Sequence, residues 1–387
     1  MKTDTLQSRL LGHFERFHRR PELGFCETET TAHIRSALEE AGIEILDSGL
    51  KTGLIAIIRG KKSPANAKTI ALRADIDALP LNEETDLQYK SEIPGAMHAC
   101  GHDFHTSALL GAAFLLKERE NDLCGTAKLI FQPAEEVTGG AKAVINTGFL
   151  DDVAEIYGLH VGPDPDAVNG TVAISAGATF ASAVVFSIEV KGRGGHAAMP
   201  HMCKDPVPAL AQLINSAQSI VSRSTNPLDR VVVSFTHIEA GSTWNIIPSS
   251  AKAEGTIRAL GSENAEIAVK RLSQICEGIA IASETKISLD SHMDTLSTNN
   301  NAALCESVKT TALTLGMPVE VFVPTMASED FALYQQKIPG VFLGFAVKSP
   351  APLHNPRFAA DPSALSQAAT LLAAIAENRM LPITELK

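Results

Sequence analysis

The segment from residue 54 to residue 159 alternates short apolar strands with helical stretches, and this alternation constrains the fold more than any other feature. The strand-like runs are Leu54–Arg59, Thr69–Arg73, Ala127–Phe131 and Glu155–Leu159. Between them, Ser107–Lys117 is apolar on nearly every side, as expected of a helix covered by two layers. Strands that are apolar on both faces and alternate with helices are typical of a layered α/β domain, so we predict a largely parallel central sheet.

The pattern changes near residue 180, where longer strands alternate between apolar and polar positions. The predicted strands are Ala183–Lys191, Arg230–Ile238, Ala251–Ala259 and Lys286–Ser291. The two predicted helices are Pro206–Arg223 and Asn264–Ala282. They predict a small α+β domain with helices on a single face of one sheet. Because the last part of the chain returns to an apolar βα pattern, we expect residues 180–292 to be inserted into a larger domain formed by residues 1–179 and 293–387.

Polar side chains follow three of the predicted strands of the larger domain. Asp75 and Asp77 follow one strand, Glu135 and Glu136 follow a second, and His160 follows a third. In open α/β sheets, ligands bind beyond the carboxyl ends of the strands. We therefore expect these carboxylates and this imidazole to meet at one edge of the sheet.

Residues 98–105 contain three imidazoles, one thiol and one carboxylate, namely those of His98, Cys100, His102, Asp103 and His105. A thiolate gathered with imidazoles and carboxylates is the ligand set of a zinc-like divalent ion. The alternative is that the cysteine is a small buried apolar residue and that the histidines are hydrogen-bonded loop residues. The density of these side chains favours a metal site, although for His98, His105 and His201 a structural role is the better interpretation.

The charge balance and the apolar runs exclude several classes of protein. With 33 basic and 44 acidic residues, the net charge is -11, which argues against nucleic acid and anionic membranes as partners. The N-terminal stretch lacks the apolar core of a secretory signal, and the longest apolar run, Ala108–Leu116, is too short to span a bilayer. Six scattered cysteines without a CxxC pair are typical of reduced thiols, so we predict a cytoplasmic protein.

Seven motifs occur in an order that resembles the M20 metallopeptidase-like amidohydrolases. The similar subgroup contains hippurate hydrolase, N-acyl-L-amino-acid amidohydrolases and auxin-conjugate hydrolases. The motifs are His-Ala-Cys-Gly-His-Asp (98–103), Gln-Pro-Ala-Glu-Glu (132–136), Gly-Leu-His (158–160), Gly-Gly-His-Ala-Ala-Met-Pro-His (194–201), Asn-Ile-Ile-Pro (245–248), Ser-Glu-Asp-Phe (328–331) and His-Asn-Pro (354–356).

This resemblance implies an enzyme that uses two divalent ions per subunit, either Zn, Mn, Ni or Co, to hydrolyse the amide bond of a small N-acyl-L-amino acid. The implied metal ligands are Cys100, His102, Glu136, His160 and His354. The resemblance makes Glu135 the general base and the inserted domain a lid that also forms a homodimer. It further implies that His196 reaches the partner's active site, that Asn245 and Arg258 bind the substrate carboxylate, and that Asp77 orients a ligand histidine. For Arg258, an ordinary surface arginine on a strand fits equally well.

Three other functions remain open at this point. The same fold and site suit a dipeptidase. Cys100 with His102 can instead be read as a thiol nucleophile and its base. A non-catalytic metal-binding module is the third alternative, and the complete set of implied ligands argues against it.

Overall fold

A computed structural model describes residues 3–380 of the chain. Residues 1–2 and 381–387, at the two ends of the larger predicted domain, lie outside the described residues. The helices are α1 (Thr3–Arg19), α2 (Thr28–Glu40), α3 (His102–Glu118), α4 (Gly140–Ile145), α5 (Pro206–Ser219), α6 (Ser262–Ser283), α7 (Ala302–Thr314), α8 (Ala332–Gln335) and α9 (Leu365–Met380). Short 3₁₀ turns occupy Pro200–Met202 and Pro362–Ala364, and a π-helical turn occupies Ile220–Ser224.

The strands are β1 (Glu44–Leu46), β2 (Leu54–Arg59), β3 (Thr69–Asp75), β4 (Thr126–Gln132), β5 (Val153–Pro163), β6 (Val172–Ile174), β7 (Gly177–Phe180), β8 (Ser182–Lys191), β9 (Gly195–His196), β10 (Val231–Ala240), β11 (Ile246–Ile247), β12 (Ser250–Ala259), β13 (Lys286–Thr295), β14 (Thr298–Asn300), β15 (Val319–Val321) and β16 (Gly340–Val347). Together with the helices, they form two compact units.

Unit 1 comprises the described residues up to Gly177, Asn300–Val323 and the described residues from Leu333 onward. Its eight-stranded sheet has the order β1-β2-β4-β3-β5-β16-β6-β15. The four central strands, β4, β3, β5 and β16, are mutually parallel. Strands β3, β4 and β16 are almost wholly buried, and β5 is buried over Glu155–Leu159. The prediction of a layered α/β domain with a largely parallel central sheet is therefore confirmed.

Helix α3 lies at the centre of unit 1 and packs against both α1 and α9. Fourteen of its seventeen residues are buried, which explains why its sequence lacks a polar face. At Gly111 the contact is so close that an added Cβ would lie 2.6 Å from Cβ of Ala369 and 2.7 Å from Cδ1 of Leu10. Each leucine or phenylalanine buried in this core contributes about 1.5 to 3 kcal/mol. The packing fixes the position of α3, whose first residue is the predicted ligand His102.

Unit 2 comprises Ala178–Asn299 and Pro324–Ala332. Its four-stranded antiparallel sheet has the order β10-β12-β8-β13, and α5 and α6 pack on it around a second apolar core. This α+β architecture was predicted. The unit extends beyond the expected residues 180–292, because β13 continues to Thr295 and because a later segment joins it. Its roles as a lid and as a dimerisation domain stay predictions.

No helix within residues 3–380 is both long enough and apolar enough to cross a bilayer.

Candidate metal centre

Cys100, His102 and His160 form a first group of possible ligands, called group A below. Cys100 ends the loop after β3, His102 begins α3, and His160 lies on β5. One ligand atom from each lies within 4.8 Å of the other two, and Cys100 Sγ is 3.4 Å from His160 Nε2. Gly101 separates the first two residues in a left-handed conformation (φ 84°), and an added Cβ there would lie 2.3 Å from Cγ2 of Val161. Only glycine fits between them without strain.

Cys100 also belongs to a second group, called group B, with Glu136 and His354. Their ligand atoms again lie within 4.8 Å of one another, and Glu136 Oε1 is 3.4 Å from His354 Nε2. His354 is held by its backbone, because its N–H donates a 2.8 Å hydrogen bond to the carbonyl of Ala99. Its side chain is 54% exposed, so group B faces an open side of unit 1. The thiol is thus common to two adjacent groups.

Asp77 explains how the adjacent residues Glu135 and Glu136 can both turn toward this region. Successive side chains on a strand point to opposite faces. Here β4 has already ended, Ala134 has a positive φ of 52°, and the Asp77 carboxylate accepts the N–H groups of Glu135 at 3.1 Å and Glu136 at 3.0 Å. As a result, both glutamates have a carboxylate oxygen within 4.8 Å of a ring nitrogen of His102.

Asp77 also determines which ring nitrogen of His102 faces the other members of group A. His102 Nδ1 donates to the backbone carbonyl of Asp77 at 2.9 Å and lies 3.3 Å from its carboxylate. This contact fixes a proton on Nδ1, so that Nε2 is the nitrogen available to a metal, as in many metal-binding histidines. His160 is held in the same way, because its Nδ1 donates to the carbonyl of Val161 at 2.8 Å.

Two buried atoms in the centre have no hydrogen-bond partner within the described part of the chain. They are His102 Nε2 and Glu136 Oε1, which lie 4.0 Å apart. A buried polar atom without a hydrogen-bond partner costs about 1 to 3 kcal/mol. A divalent cation would use both lone pairs, and sulfur, nitrogen and oxygen together suit ions such as zinc or manganese. The residues present therefore fit the metal that the sequence predicted.

Burial is the main influence on the protonation of His160 and Cys100. It lowers the pKa of His160 to about 3, so this imidazole is neutral and able to bind a metal. It raises the pKa of the Cys100 thiol well above its usual range. Without a cation the sulfur therefore keeps its proton, which argues against Cys100 as a free thiolate nucleophile, since reactive cysteines have lowered pKa values.

A fully buried polar layer lies next to His102, and the sequence analysis did not anticipate it. Asp75 accepts hydrogen bonds from Arg73 Nη1 at 2.7 Å and from His105 Nδ1 at 2.6 Å. His105 Nε2 in turn accepts the N–H of Val161 at 2.9 Å. Although Asp75, His102 and His105 also bring ligand atoms within 4.8 Å of one another, both ring nitrogens of His105 have protein partners. The structural role favoured for His105 agrees with these contacts.

The three predicted residues of the inserted domain lie in unit 2. His196 is exposed on β9, which pairs with β11, and Asn245 is its neighbour because Ala197 N–H donates to the Asn245 carbonyl at 3.1 Å. Arg258 lies on β12 and donates to the hydroxyl of Ser328. The structure thus places His196 beside Asn245, while Arg258 lies on the four-stranded sheet.

Comparison with known proteins gives consistent matches over nearly the whole chain. The profile of peptidase family M20/M25/M40 matches residues 71–378. N-acetylcysteine deacetylase of Bacillus subtilis is 40% identical over 377 residues, which cover 97% of this chain and 98% of the relative. Hippurate hydrolase of Campylobacter jejuni is 37% identical over 376 residues, with 95% and 96% covered.

A solved structure shares the fold. A Bacillus subtilis protein described as a dinuclear metal-binding peptidase from the M20 family has a TM-score of 0.88 and 37% identity, with 97% of this chain and 99% of that chain covered. The matches identify a hydrolase that acts on amide bonds. The chain belongs to peptidase family M20/M25/M40.

Proposed function

We propose that this protein is a dinuclear-metal amidohydrolase that removes the acyl group from small N-acyl-L-amino acids. The main support is the position of Cys100, which belongs to both group A and group B. His102 Nε2 of group A and Glu136 Oε1 of group B are buried and make no hydrogen bond within the described residues, which adds to this support. The names of two relatives, N-acetylcysteine deacetylase and hippurate hydrolase, support acyl-amino acids as the substrate class.

The proposed ligands are Cys100, His102 and His160 for one ion, and Cys100, Glu136 and His354 for the other. When bound, divalent ions supply Lewis acidity that polarises a carbonyl group and acidifies a water molecule. Zinc, manganese, nickel and cobalt all suit this mixed donor set. Which of these ions the site holds depends on cellular availability as well as on affinity.

Glu135 is the proposed general base. Its carboxylate takes a proton from the attacking water, and the water oxygen forms a bond to the carbonyl carbon. When the C–N bond breaks, protonated Glu135 returns this proton to the leaving nitrogen, so that the products are a carboxylic acid and an amine. The hydrogen bonds from Glu135 N–H and Glu136 N–H to Asp77 support this role, because they orient one glutamate as a base while its neighbour serves as a ligand.

Residues of unit 2 are proposed to bind the substrate. His196, acting from the second subunit of a homodimer, donates a hydrogen bond to the carbonyl oxygen as negative charge develops on it. Asn245 and Arg258 bind the carboxylate of the amino acid, a task for which the planar guanidinium is well shaped. The exposure of His196 and its proximity to Asn245 support a shared role. The homodimer through unit 2 and the cytoplasmic location are parts of the same proposal.

Activity and metal content should be measured together on the purified protein. We expect hydrolysis of N-acetyl-L-amino acids or N-benzoylglycine, with loss of activity after chelation and recovery with zinc, manganese, nickel or cobalt. Preference for free dipeptides would favour the dipeptidase alternative. Full activity of the chelated protein would contradict the proposal.

Two variants distinguish the role of Glu135 as a general base from the role of Glu136 as a metal ligand. Glu135→Gln should lower kcat by about 100-fold or more while the metal content is retained, since general bases contribute about 10²- to 10⁴-fold. Glu136→Gln should instead lower the metal content. Glu306→Gln, an exposed site on α7, is the matched control and should behave as the unmodified protein.

A further inference from the structure

Unit 1 contains a second buried polar cluster, formed by His18, Glu83 and Asp103 and called the His18 cluster below. His18 Nδ1 is 2.7 Å from Asp103 Oδ2, and His18 Nε2 is 3.2 Å from Glu83 Oε1. All three side chains are at most 2% exposed. Burial alone would lower the pKa of His18, but hydrogen bonds to the two carboxylates raise it to about 9. The ring is therefore positively charged near neutral pH.

A cluster of this kind needs a reason other than stability. Burying ion pairs in place of apolar side chains contributes little net stability, because the desolvation penalty offsets the attraction. The best-attested use of such groups is to select one arrangement of the chain. The question is therefore which segments the His18 cluster holds together.

One segment is the start of α3. Asp103 directly follows the proposed ligand His102, and its second carboxylate oxygen accepts the N–H of Phe104 at 2.9 Å. Asp103 therefore binds the first turn of α3 and the ring of His18 at the same time. Any displacement of Asp103 would move His102 with it, since the two residues are adjacent.

The other segment is the irregular loop between β3 and α3, which ends at Cys100. Glu83 binds His18 with one carboxylate oxygen and accepts the N–H of Ser91 at 2.6 Å with the other. It also accepts a hydrogen bond from the hydroxyl of Thr85. Further hydrogen bonds join the loop to the end of α1, from Glu92 N–H to the Arg19 carbonyl and from Arg19 to the Gln88 carbonyl. Among these contacts, Glu83 supplies the buried carboxylate that binds His18.

The same loop supports the segment that carries His354. Glu84 N–H donates to the carbonyl of Pro356 at 2.8 Å, and His354 N–H donates to the carbonyl of Ala99 at 2.8 Å. His354 has a left-handed backbone (φ 60°), which is unfavourable outside glycine and persists only where neighbours enforce it. Glu84 and Ala99, which make these two hydrogen bonds, belong to the loop that Glu83 helps to fix.

We propose that His18 is a positioning residue for the metal centre: by binding Asp103 and Glu83 it fixes the Cys100–His102 segment and, through Glu84, the His354 segment. The inference rests on the proposed function, in which these residues bind metal. His18 itself has no role as a ligand or in proton transfer. It acts on the geometry and affinity of the site through the two carboxylates.

Cobalt(II) binding is a direct test, because a cobalt–thiolate charge-transfer band reports the Cys100 contact and the visible bands report coordination geometry. The metal-free full-length protein, His18→Gln and Asp103→Asn are titrated with cobalt(II), and folding is checked by circular dichroism. We expect about 10- to 100-fold weaker cobalt binding and shifted bands in both variants, the range found when groups behind metal ligands are removed.

His13→Gln is the matched control. His13 lies on the same helix and is hydrogen-bonded to His33 at 2.9 Å. Its ring contacts Phe114 of α3, more than two turns beyond Asp103. We expect it to leave the cobalt spectrum unchanged even if it lowers thermal stability. Asp103→Asn keeps the shape of the side chain, so it provides the measurement if His18→Gln fails to fold.

The outcomes separate the two proposals. Wild-type cobalt affinity and spectra in His18→Gln or Asp103→Asn, with or without a lower melting temperature, would show that the His18 cluster has only a structural role. Equal changes in His13→Gln would overturn the inference as well. If the unmodified protein binds no cobalt, both the positioning role and the metal-dependent function are wrong.

Discussion

Asp77 binds Glu136 through the backbone, since the Asp77 carboxylate accepts the Glu136 N–H at 3.0 Å, and the neighbouring Glu135 N–H donates to its other oxygen at 3.1 Å. The two residues are 59 positions apart in the chain. One carboxylate thereby orients both the proposed base and a proposed ligand, while the Asp77 carbonyl accepts from His102.

Asp77→Asn should therefore disturb the centre without removing any ligand. An amide has only one acceptor oxygen, so one of the two backbone N–H groups loses its partner. We expect metal affinity to fall by about 10- to 100-fold, as found for other groups that hold metal ligands in place. Competition with a chromogenic chelator measures the affinity. Unchanged affinity together with unchanged kcat would contradict this role.

Gly101→Ala should destabilise the protein by about 2 kcal/mol or more, from the left-handed backbone together with the overlap of the new Cβ with Val161. Gly148→Ala is a suitable control, because Gly148 also has a positive φ (74°) but nothing lies within 4 Å of an added Cβ. Urea unfolding midpoints of the chelated proteins provide the comparison. A similar loss in both variants would mean that the contact with Val161 is easily relieved.

The parallel sheet was predictable because its signal is local. A strand buried on both faces must be apolar at consecutive positions, and Leu54–Arg59 was predicted with the bounds that β2 has. The ends of the helices were less visible. The predicted helix began at Ser107, whereas α3 begins at His102. The true start was missed because the first turn is mostly polar although it is buried, and because its N-cap, Gly101, has no side chain that could form a cap.

Contacts between distant segments were not predictable from the pattern of residues. Arg73 is a charged residue inside an apolar strand, and Asp75, two positions later, is a local partner. Nothing local reveals that Arg73 also binds the side chain of Gln132, 59 positions away. The same is true of the backbone groups that Asp77 binds. The sequence identified which side chains have the chemistry of a metal site. Their orientation depends on hydrogen bonds between residues that only the folded chain brings together.

Cys100→Ser should lower the metal content more than any other cysteine substitution, because Cys100 belongs to both ligand groups. A hydroxyl is a poor substitute for a thiolate ligand. Elemental analysis should find fewer than two ions per chain, whereas Cys276→Ser, a buried site in unit 2, should keep the full content. Bound metal should also slow the alkylation of Cys100 by iodoacetamide. Rapid alkylation in the metal-loaded protein with retained metal would instead favour the thiol-nucleophile alternative.

Glu155 anchors the last helix to the sheet and should make stability depend on pH. It accepts hydrogen bonds from Lys68 and from Arg379 of α9, each at 2.8 Å, and from the Tyr157 hydroxyl at 2.7 Å. Burial alone would raise its pKa, but these donors lower it from 4.5 to about 2. A carboxylate with a lowered pKa stabilises the fold above its unfolded-state pKa, and this contribution is lost as pH falls through the folded-state value.

Glu155→Gln should therefore unfold at a lower urea concentration than the unmodified protein at pH 7, and the difference should narrow as the pH falls from 4.5 toward 2. The free energy of unfolding of Glu155→Gln at pH 7 should be about 2 to 3 kcal/mol lower than that of the unmodified protein. Urea midpoints of the chelated proteins at pH 7, 4 and 3 test this. Glu44→Gln, which removes an exposed ion pair with Arg59, is the control and should give a small difference at every pH. A difference for Glu155→Gln that stays constant down to pH 3 would show that the charge of Glu155 does not stabilise the contact between β5 and α9.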